Sequence, residues 1–252
     1  MTNLLSNRDY TLEEISRVRF IKETLRDAKA SGIVFANSGG KDCVLAGILC
    51  KKACENTVSL VLPCGIARSY KEDKEDALMF AVQFDIETKV IDLKETYDAL
   101  VKALGSDITE LAASNIMPRL RMQALYAIAQ SEGRLVAGTG NRSEIYLGYF
   151  TKWGDGAYDF NPISDLTVTE VYEFLRHLNA PSSIINKPPS AGLYEGQTDE
   201  GDLGFAYAEL DRFLLTGEAT EENKEKFLRH HNSTKHKRQY PHIFVKDDEY
   251  GK

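Results

Sequence analysis

The chain has 252 residues, of which 31 are basic and 38 acidic, giving a formal net charge of −7. Hydrophobic residues make up 42% and charged residues 27%, ordinary values that exclude a disordered or collagen-like chain and leave ample length for a hydrophobic core. The acidic balance argues against a general nucleic-acid-binding protein and against a binder of anionic membranes.

The first elements predicted along the chain are a helix, a strand and a second helix. Thr11 and Glu14 have the spacing of a capping box, and apolar residues at helical intervals predict a helix to about Ala30. A short apolar run at 33–36 predicts a strand, the glycine-containing segment 37–40 predicts a loop, and residues 44–54 predict a buried helix.

The same alternation continues through residue 141. Strands are predicted over 58–62, 89–92 and 134–137, and helices over 72–84, 93–104 and 119–130, before a second glycine-rich turn at 138–141. Alternating strands and helices predict an α/β fold with a mainly parallel sheet, helices on both faces and a ligand at the carboxyl ends of the strands.

The C-terminal part of the sequence contains longer irregular segments. Residues 149–161 are an aperiodic loop, and a capping box at Thr167 and Glu170 predicts a helix to about Leu178. The segment 186–204 is predicted to be a lid-like loop, followed by helices over 203–215 and 221–231 and a basic tail at 235–238. No linker divides the sequence, so we expect one domain over residues 1–252.

The cysteines and the N-terminal residues indicate the compartment. Cys43, Cys50, Cys54 and Cys64 have neither the spacing nor the histidine partners of a zinc site. The first ten residues are polar, and no segment reaches the roughly 18 apolar residues that a spanning helix needs. We therefore expect a cytoplasmic protein with free thiols and without membrane or nucleic-acid partners.

The strongest chemical signal is the sequence SGGKDC at 38–43, between a predicted strand and a predicted helix. Glycines allow close approach of a ligand, and the free N–H groups at a helix start bind anions such as phosphate. The carboxylate of Asp42 would repel a phosphate unless a divalent cation bridged the two, which predicts Mg²⁺. The alternative is a glycine-rich turn without a ligand.

The sequence from Ser38 to Asp42 resembles the pyrophosphatase loop of the adenine-nucleotide alpha hydrolases, which have a Rossmann-like fold and cleave ATP between its alpha and beta phosphates. Further motifs, in order along nearly the whole chain, resemble the ammonia-dependent NAD synthetases. They are GTGNRSE at 138–144, GYFTKWGDG at 148–156, DFNP at 159–162, KPPSAGL at 187–193 and HKR at 236–238.

The resemblance implies a two-step ligase reaction. The carboxylate of deamido-NAD (nicotinic acid adenine dinucleotide) attacks the alpha phosphate of ATP, pyrophosphate leaves, and ammonia then displaces AMP to give NAD. Only one predicted helix precedes the phosphate loop, so we expect no glutaminase domain and a supply of free ammonia. The resemblance also implies a homodimer.

The site residues that the resemblance implies fall into three groups. The ATP-binding residues are Ser38, Gly39, Gly40, Lys41, Asp42, Cys43, Thr139 and Ser190, and the Mg²⁺ ligands are Asp42 and Glu144. The residues that bind deamido-NAD are Arg119, Lys152, Asp159, His236 and Lys237. The candidate catalytic residues are Asp42, Lys152 and Asp155, with Asp155 as the group that takes the proton of ammonium.

Two positions depart from the family pattern. Cys43 stands where serine is usual, and the helix start could lower its thiol pKa and make it redox-sensitive, although packing in place of serine is the preferred interpretation. Val168 stands where a lysine commonly contacts ATP phosphate, and Lys41 or Lys187 could replace that contact. The rival functions are another ATP-pyrophosphatase ligase with a different substrate, and a nucleotide-binding sensor without turnover.

Overall fold

The computed structural model describes residues 7–65, 70–190, 192, 194 and 196–244, and its centre is a sheet of four parallel strands. The strands are β1 (Gly32–Ala36), β2 (Thr57–Val61), β3 (Glu87–Val90) and β4 (Arg134–Val136), in the order β3-β2-β1-β4. In the central register Val34 is opposite both Val58 and Val136. The predicted parallel sheet is confirmed.

Helices connect the strands and form most of the C-terminal part. They are α1 (Tyr10–Ala28), α2 (Lys41–Ala53), α3 (Glu72–Gln83), α4 (Lys94–Leu104), α5 (Glu110–Ser114), α6 (Ile116–Glu132), α7 (Arg142–Leu147), α8 (Val168–His177), α9 (Ser182–Ile185), α10 (Asp199–Leu203), α11 (Tyr207–Thr216) and α12 (Glu221–Ser233). Short 3₁₀ turns lie at Gly105–Asp107 and Lys235–Lys237.

Buried side chains cover both faces of the sheet, as the sequence predicts. Ile33 and Phe35 of β1 point to one face, where they pack with α1, α2, α3 and α8. Val34 points to the other face and packs with β2, β4 and α6. This alternation is the period of two expected of a strand buried on both sides. The sheet therefore gives a rigid base whose strand ends position the loops that follow them.

A third apolar cluster joins the C-terminal helices to the sheet domain. Leu147 of α7 and Val168 of α8 pack there against residues of α11 and α12, including Leu210 and Phe227. The carboxylate of Asp211 in α11 accepts hydrogen bonds from Ser143 Oγ at 2.5 Å and from the backbone N–H of Thr169 at 2.7 Å. The C-terminal helices thus pack on the elements that follow β4.

Several element boundaries differ from the sequence prediction. The first helix is capped by Asp9, whose carboxylate accepts from the N–H groups of Thr11 and Leu12, so the predicted capping box at Thr11 is wrong. The second helix begins at Lys41, three residues earlier than predicted, and β3 lies two residues earlier. By contrast, both bonds of the capping box at Thr167 and Glu170 are present.

The irregular C-terminal segments contain more order than the sequence predicts. Helix α10 lies within the predicted lid loop, and the short helices α5, α7 and α9 were not predicted. The basic tail is docked, because the ammonium of Lys237 donates to the carbonyls of Gly148 and Phe150 at 2.8 and 2.7 Å. Residues 191 and 193 of the KPPSAGL motif lie outside the described residues.

None of the helices in the described part of the chain combines the length and apolar character needed to cross a membrane.

Candidate active site

The loop between β1 and α2 is held tightly against α3. Asn37 donates from Nδ2 to the carbonyl of Ala77 at 3.1 Å and accepts at Oδ1 from the N–H of Gly39. Gly39 has a φ of +70°, and a Cβ there would lie 2.7 Å from the carbonyl oxygen of Asp73. Both the backbone conformation and the close approach therefore require glycine at this position.

Helix α2 begins directly after this loop with an open N-terminus. Its N-cap is Gly40, and no side chain caps the helix. The first N–H groups of the helix are then available to a ligand, and the helix dipole favours an anion there. This geometry fits the phosphate-binding role predicted for SGGKDC.

The open helix start faces a large cavity at the carboxyl ends of the strands. The cavity has a volume of about 740 Å³, within the range of small-molecule sites. Ten of the predicted site residues line it: Ser38, Gly40, Lys41, Asp42, Cys43, Thr139, Glu144, Asp155, Ser190 and Lys237. The other predicted site residues, Gly39, Arg119, Lys152, Asp159 and His236, do not.

Two carboxylates face each other in the cavity. Asp42 lies in the first turn of α2, and its Oδ1 accepts from Asn141 Nδ2 at 3.0 Å. Asn141 is also the N-cap of α7, where it forms a capping box with Glu144. Burial and the nearby charge of Asp42 raise the pKa of Glu144 well above its ordinary value. A shared cation would relieve this repulsion.

An ammonium group lies between the two carboxylates. Lys41 Nζ is 2.7 Å from Asp42 Oδ2 and 3.8 Å from Glu144 Oε1, and the lysine side chain is only 7% exposed. Burial alone would lower the pKa of Lys41, but the two carboxylates outweigh burial and raise it. The ammonium shows that a positive charge is accommodated between the two carboxylates, whose hard oxygen donors are of the kind that Mg²⁺ prefers.

Asp155 lies on the cavity wall and is held by the loop that follows α7. Its Oδ1 accepts from the N–H of Thr151 at 2.9 Å. Desolvation by the cavity walls raises the pKa of Asp155, although the residue is exposed to the cavity and hydrogen bonds and the charges of Arg121 and Lys237 oppose the increase. A carboxylate with a raised pKa is a better base than an ordinary aspartate, which suits proton abstraction.

Three of the predicted dinucleotide-binding residues form a chain of contacts beside the cavity. Arg119 Nε donates to the carbonyl of Lys152 at 3.3 Å, and Lys152 Nζ donates to the carbonyl of His236 at 3.0 Å. Asp159 lies apart from this group, where its carboxylate accepts from the N–H of Val136 at 2.7 Å and from Tyr126 Oη at 3.2 Å. The structure therefore brings Arg119, Lys152 and His236 together and separates Asp159.

Cys43 lies in the phosphate loop but is not an activated thiol. Its sulfur is 3.3 Å from Ser38 Oγ, and only 9% of the residue is exposed. Burial raises the thiol pKa, so the lowered pKa considered from its place at a helix start is wrong. Desolvation outweighs the hydrogen bonds with Ser38 and Thr139 that would lower the thiol pKa.

The sequence analysis missed Arg121, which lines the cavity. Its Nε donates to the carbonyl of Leu62 at 3.0 Å, and burial lowers the pKa of the guanidinium. A half-buried cation that faces the cavity suits a phosphate or carboxylate ligand. Lys187 also lines the cavity, but its ammonium binds Asp73 and Asp76 at 2.9 and 2.6 Å.

Comparison with known proteins identifies the family. An "NH(3)-dependent NAD(+) synthetase" of Carboxydothermus hydrogenoformans is 46% identical over 231 residues, covering 90% of this chain and 94% of the relative. A structure described as NMN synthetase from Francisella tularensis is 34% identical with a TM-score of 0.89, covering 94% of this chain and 99% of that one. The NH3-dependent NAD synthetase of Campylobacter jejuni is 30% identical with a TM-score of 0.79, covering 94% and 100%.

These similarities confirm the adenine-nucleotide alpha hydrolase fold and the resemblance noted from the sequence motifs. The family model described as NAD synthase matches residues 14–251. Because that match spans well over half of the sequence, the chain belongs to the NAD synthase family.

Proposed function

We propose that the chain catalyses the ATP-dependent amidation of deamido-NAD by ammonia, releasing AMP and pyrophosphate. One observation carries the proposal. In a chain of the NAD synthase family, an uncapped helix start, the Asp42–Glu144 carboxylate pair and the raised-pKa carboxylate of Asp155 all face one cavity. These are the groups needed to hold phosphates, bind a cation and accept a proton.

The first step would be adenylyl transfer, which depends on positioning and charge neutralisation rather than on a protein nucleophile. The loop at 38–43 would hold the beta and gamma phosphates, with Thr139 and Ser190 as further contacts to ATP. Asp42 and Glu144 would hold Mg²⁺, which supplies charge neutralisation and polarises a phosphoryl oxygen.

The second step would be attack by ammonia on the adenylated carboxylate. Ammonium must lose a proton before it can attack, and the carboxylate of Asp155 would take it. Deamido-NAD would be held by Arg119, Lys152, Asp159, His236 and Lys237. Lys152 would also place its ammonium near the reacting carboxylate. The exposed group of Arg119, Lys152 and His236 beside the cavity supports a substrate longer than the cavity alone.

The resemblance supports three further parts of the proposal. Residues 1–252 would act as one synthetase domain, as a homodimer and in the cytoplasm. Size-exclusion chromatography with light scattering tests the dimer, and cell fractionation tests the compartment.

The activity test is formation of NAD and pyrophosphate from ATP, Mg²⁺, deamido-NAD and an ammonium salt. A parallel reaction contains glutamine in place of ammonium. NAD with ammonium but not with glutamine supports the proposal. Pyrophosphate release without NAD points to another carboxylate substrate, and a folded, ATP-binding protein that releases neither product is a sensor.

A second candidate substrate is suggested by the Francisella tularensis structure described as NMN synthetase. The corresponding reaction would amidate the mononucleotide of nicotinic acid instead of the dinucleotide. The same assay with nicotinic acid mononucleotide decides between them. A higher kcat/KM for the mononucleotide would assign the shorter substrate and leave the group around Lys152 without a role in binding.

A further inference from the structure

Lys41 is placed unusually for a lysine in a phosphate-binding loop. Its backbone forms the first residue of α2, where the N–H groups face the cavity. Its side-chain ammonium lies beside Asp42 Oδ2 and Glu144 Oε1, at 2.7 and 3.8 Å. The ammonium therefore occupies the proposed metal site.

The other positions at which a lysine could contact phosphate are 187 and 168. The lysine at 187 already forms ion pairs, and position 168 has no lysine. Lys187 forms ion pairs with Asp73 and Asp76 of α3. Val168, where the family commonly has lysine, is buried in the third apolar cluster. Of the two lysines that could replace the missing contact, Lys41 has its charge in the cavity beside the metal-binding carboxylates, so it is the one we consider.

The charges make simultaneous occupation by the ammonium and a metal ion costly. Two carboxylates and one ammonium carry a net charge of −1, and a divalent cation added to them would meet a positive group a few ångströms away. If the ammonium moved to contact an anion, it would no longer repel the metal ion and would gain an attraction to the anion. The phosphates of ATP are anions of this kind, and the open N-terminus of α2 would hold them next to Lys41.

We propose that Lys41 is a resident counter-ion that neutralises Asp42 and Glu144 in the nucleotide-free protein and moves to the phosphates when the metal ion enters with ATP. Binding of the metal ion is thereby made dependent on the nucleotide. This inference rests on the proposed function, because it takes the metal–ATP complex as the substrate. In the nucleotide-bound protein Lys41 would contact ATP directly.

The test uses Mn²⁺ as the probe and a matched pair of lysine variants. Lys41→Met removes the ammonium and keeps the unbranched side chain up to the atom before it. Lys52→Met removes a lysine from the same helix, where it pairs with Glu14 at 2.7 Å and is 41% exposed. Electron paramagnetic resonance measures binding of Mn²⁺ alone, and calorimetry measures binding of its complex with α,β-methylene-ATP.

The two measurements should change in opposite directions. Lys41→Met should bind Mn²⁺ alone at least about tenfold more tightly than wild type and bind the Mn²⁺–nucleotide complex about tenfold more weakly. Lys52→Met should match wild type in both. A Lys41→Met protein with unchanged or weaker affinity for Mn²⁺ alone would overturn the proposal, because a purely structural lysine would not produce opposite shifts.

Wild-type protein provides a test that does not depend on the variant folding. It should bind Mn²⁺ alone far more weakly than it binds the Mn²⁺–nucleotide complex, and equal affinities would overturn the proposal. Neither binding experiment contains deamido-NAD or ammonia. Failure of the amidation assay with these binding results intact would therefore contradict the proposed function and not the role of Lys41.

Discussion

Replacing Asp155 by asparagine should slow the capture of ammonia and spare adenylyl transfer. Asparagine can still accept the hydrogen bond from the N–H of Thr151, which is 2.9 Å long in the native protein, but it cannot take a proton. A positioned general base contributes about 10²- to 10⁴-fold, so we expect the rate of NAD formation to fall by about 10²- to 10³-fold, or about 3 to 4 kcal/mol. The rate of ATP–pyrophosphate exchange should change by less than about threefold.

The assay compares the two steps in the same preparation. Isotope exchange between ATP and pyrophosphate reports adenylyl transfer, and NAD formation at saturating ammonium reports the complete reaction. Asp85→Asn is the control, because Asp85 is 97% exposed and should leave both rates unchanged. An equal loss of exchange and of NAD formation in Asp155→Asn would refute the assignment of Asp155 as the base.

The Asp155→Asn variant should also change how the free energy of unfolding depends on pH. Protein around Asp155 raises its pKa in the folded state, so the folded protein binds this proton more tightly than the unfolded chain. The resulting stabilisation is complete below the unfolded pKa, near about 4, and is lost as the pH rises through the raised folded value. Chemical denaturation should therefore show Asp155→Asn gaining stability relative to wild type between acidic and neutral pH. If the stability difference between Asp155→Asn and wild type stays constant with pH, that result would contradict the expectation.

The remaining predictions concern binding and local stability. Asp42→Asn should reduce pyrophosphate release by at least about 10²-fold, since it removes a charge of the proposed metal site, and a fully active variant would contradict the proposed mechanism. Arg121→Met should weaken binding of ATP or deamido-NAD about tenfold in titrations without lowering the melting temperature, because desolvation of the half-buried guanidinium is already unfavourable. Gly148→Ala should cost more than about 2 kcal/mol in denaturant titrations, since φ is +68° and a Cβ would lie 2.3 Å from Thr234. Gly217→Ala, with φ of +79° and no atom within 4 Å of the new Cβ, should show only the backbone cost of about 1 kcal/mol.

The alternation of apolar strands and amphipathic helices was sufficient to predict the parallel sheet and its two helical layers. The first residue of a helix was harder to predict, because more than one nearby residue can serve as its N-cap. Asp9 and Thr11 are both good N-cap residues two positions apart, and the structure selects Asp9. At Thr167 the same choice exists, because Asp165 lies two positions earlier, but there the structure selects the threonine and the predicted capping box is present.

The residues that line the cavity show a second limit of prediction from sequence. Arg119 and Arg121 lie two residues apart on α6, so they project about 200° apart around the helix axis. Arg119 is exposed beside the cavity and Arg121 lines it. The resemblance implied Arg119 alone, and only the orientation of the helix reveals that Arg121 faces the cavity. The conformation of the Lys41 side chain was equally inaccessible, because it depends on Glu144, which is distant in sequence.

The order of the strands explains why residues about a hundred positions apart form one site. Because β4 pairs with β1 rather than with β3, the carboxyl ends of β1 and β4 are adjacent, and each is followed by a glycine-rich turn and a helix. The turn after β1 places Asp42 at the start of α2, and the turn after β4 places Asn141 at the start of α7. The 3.0 Å hydrogen bond from Asn141 Nδ2 to Asp42 Oδ1 connects these two turns directly. Alternation along the sequence predicts parallel strands but not their neighbours. Only the resemblance paired Asp42 with Glu144, and the strand order explains why two such distant residues face the same cavity.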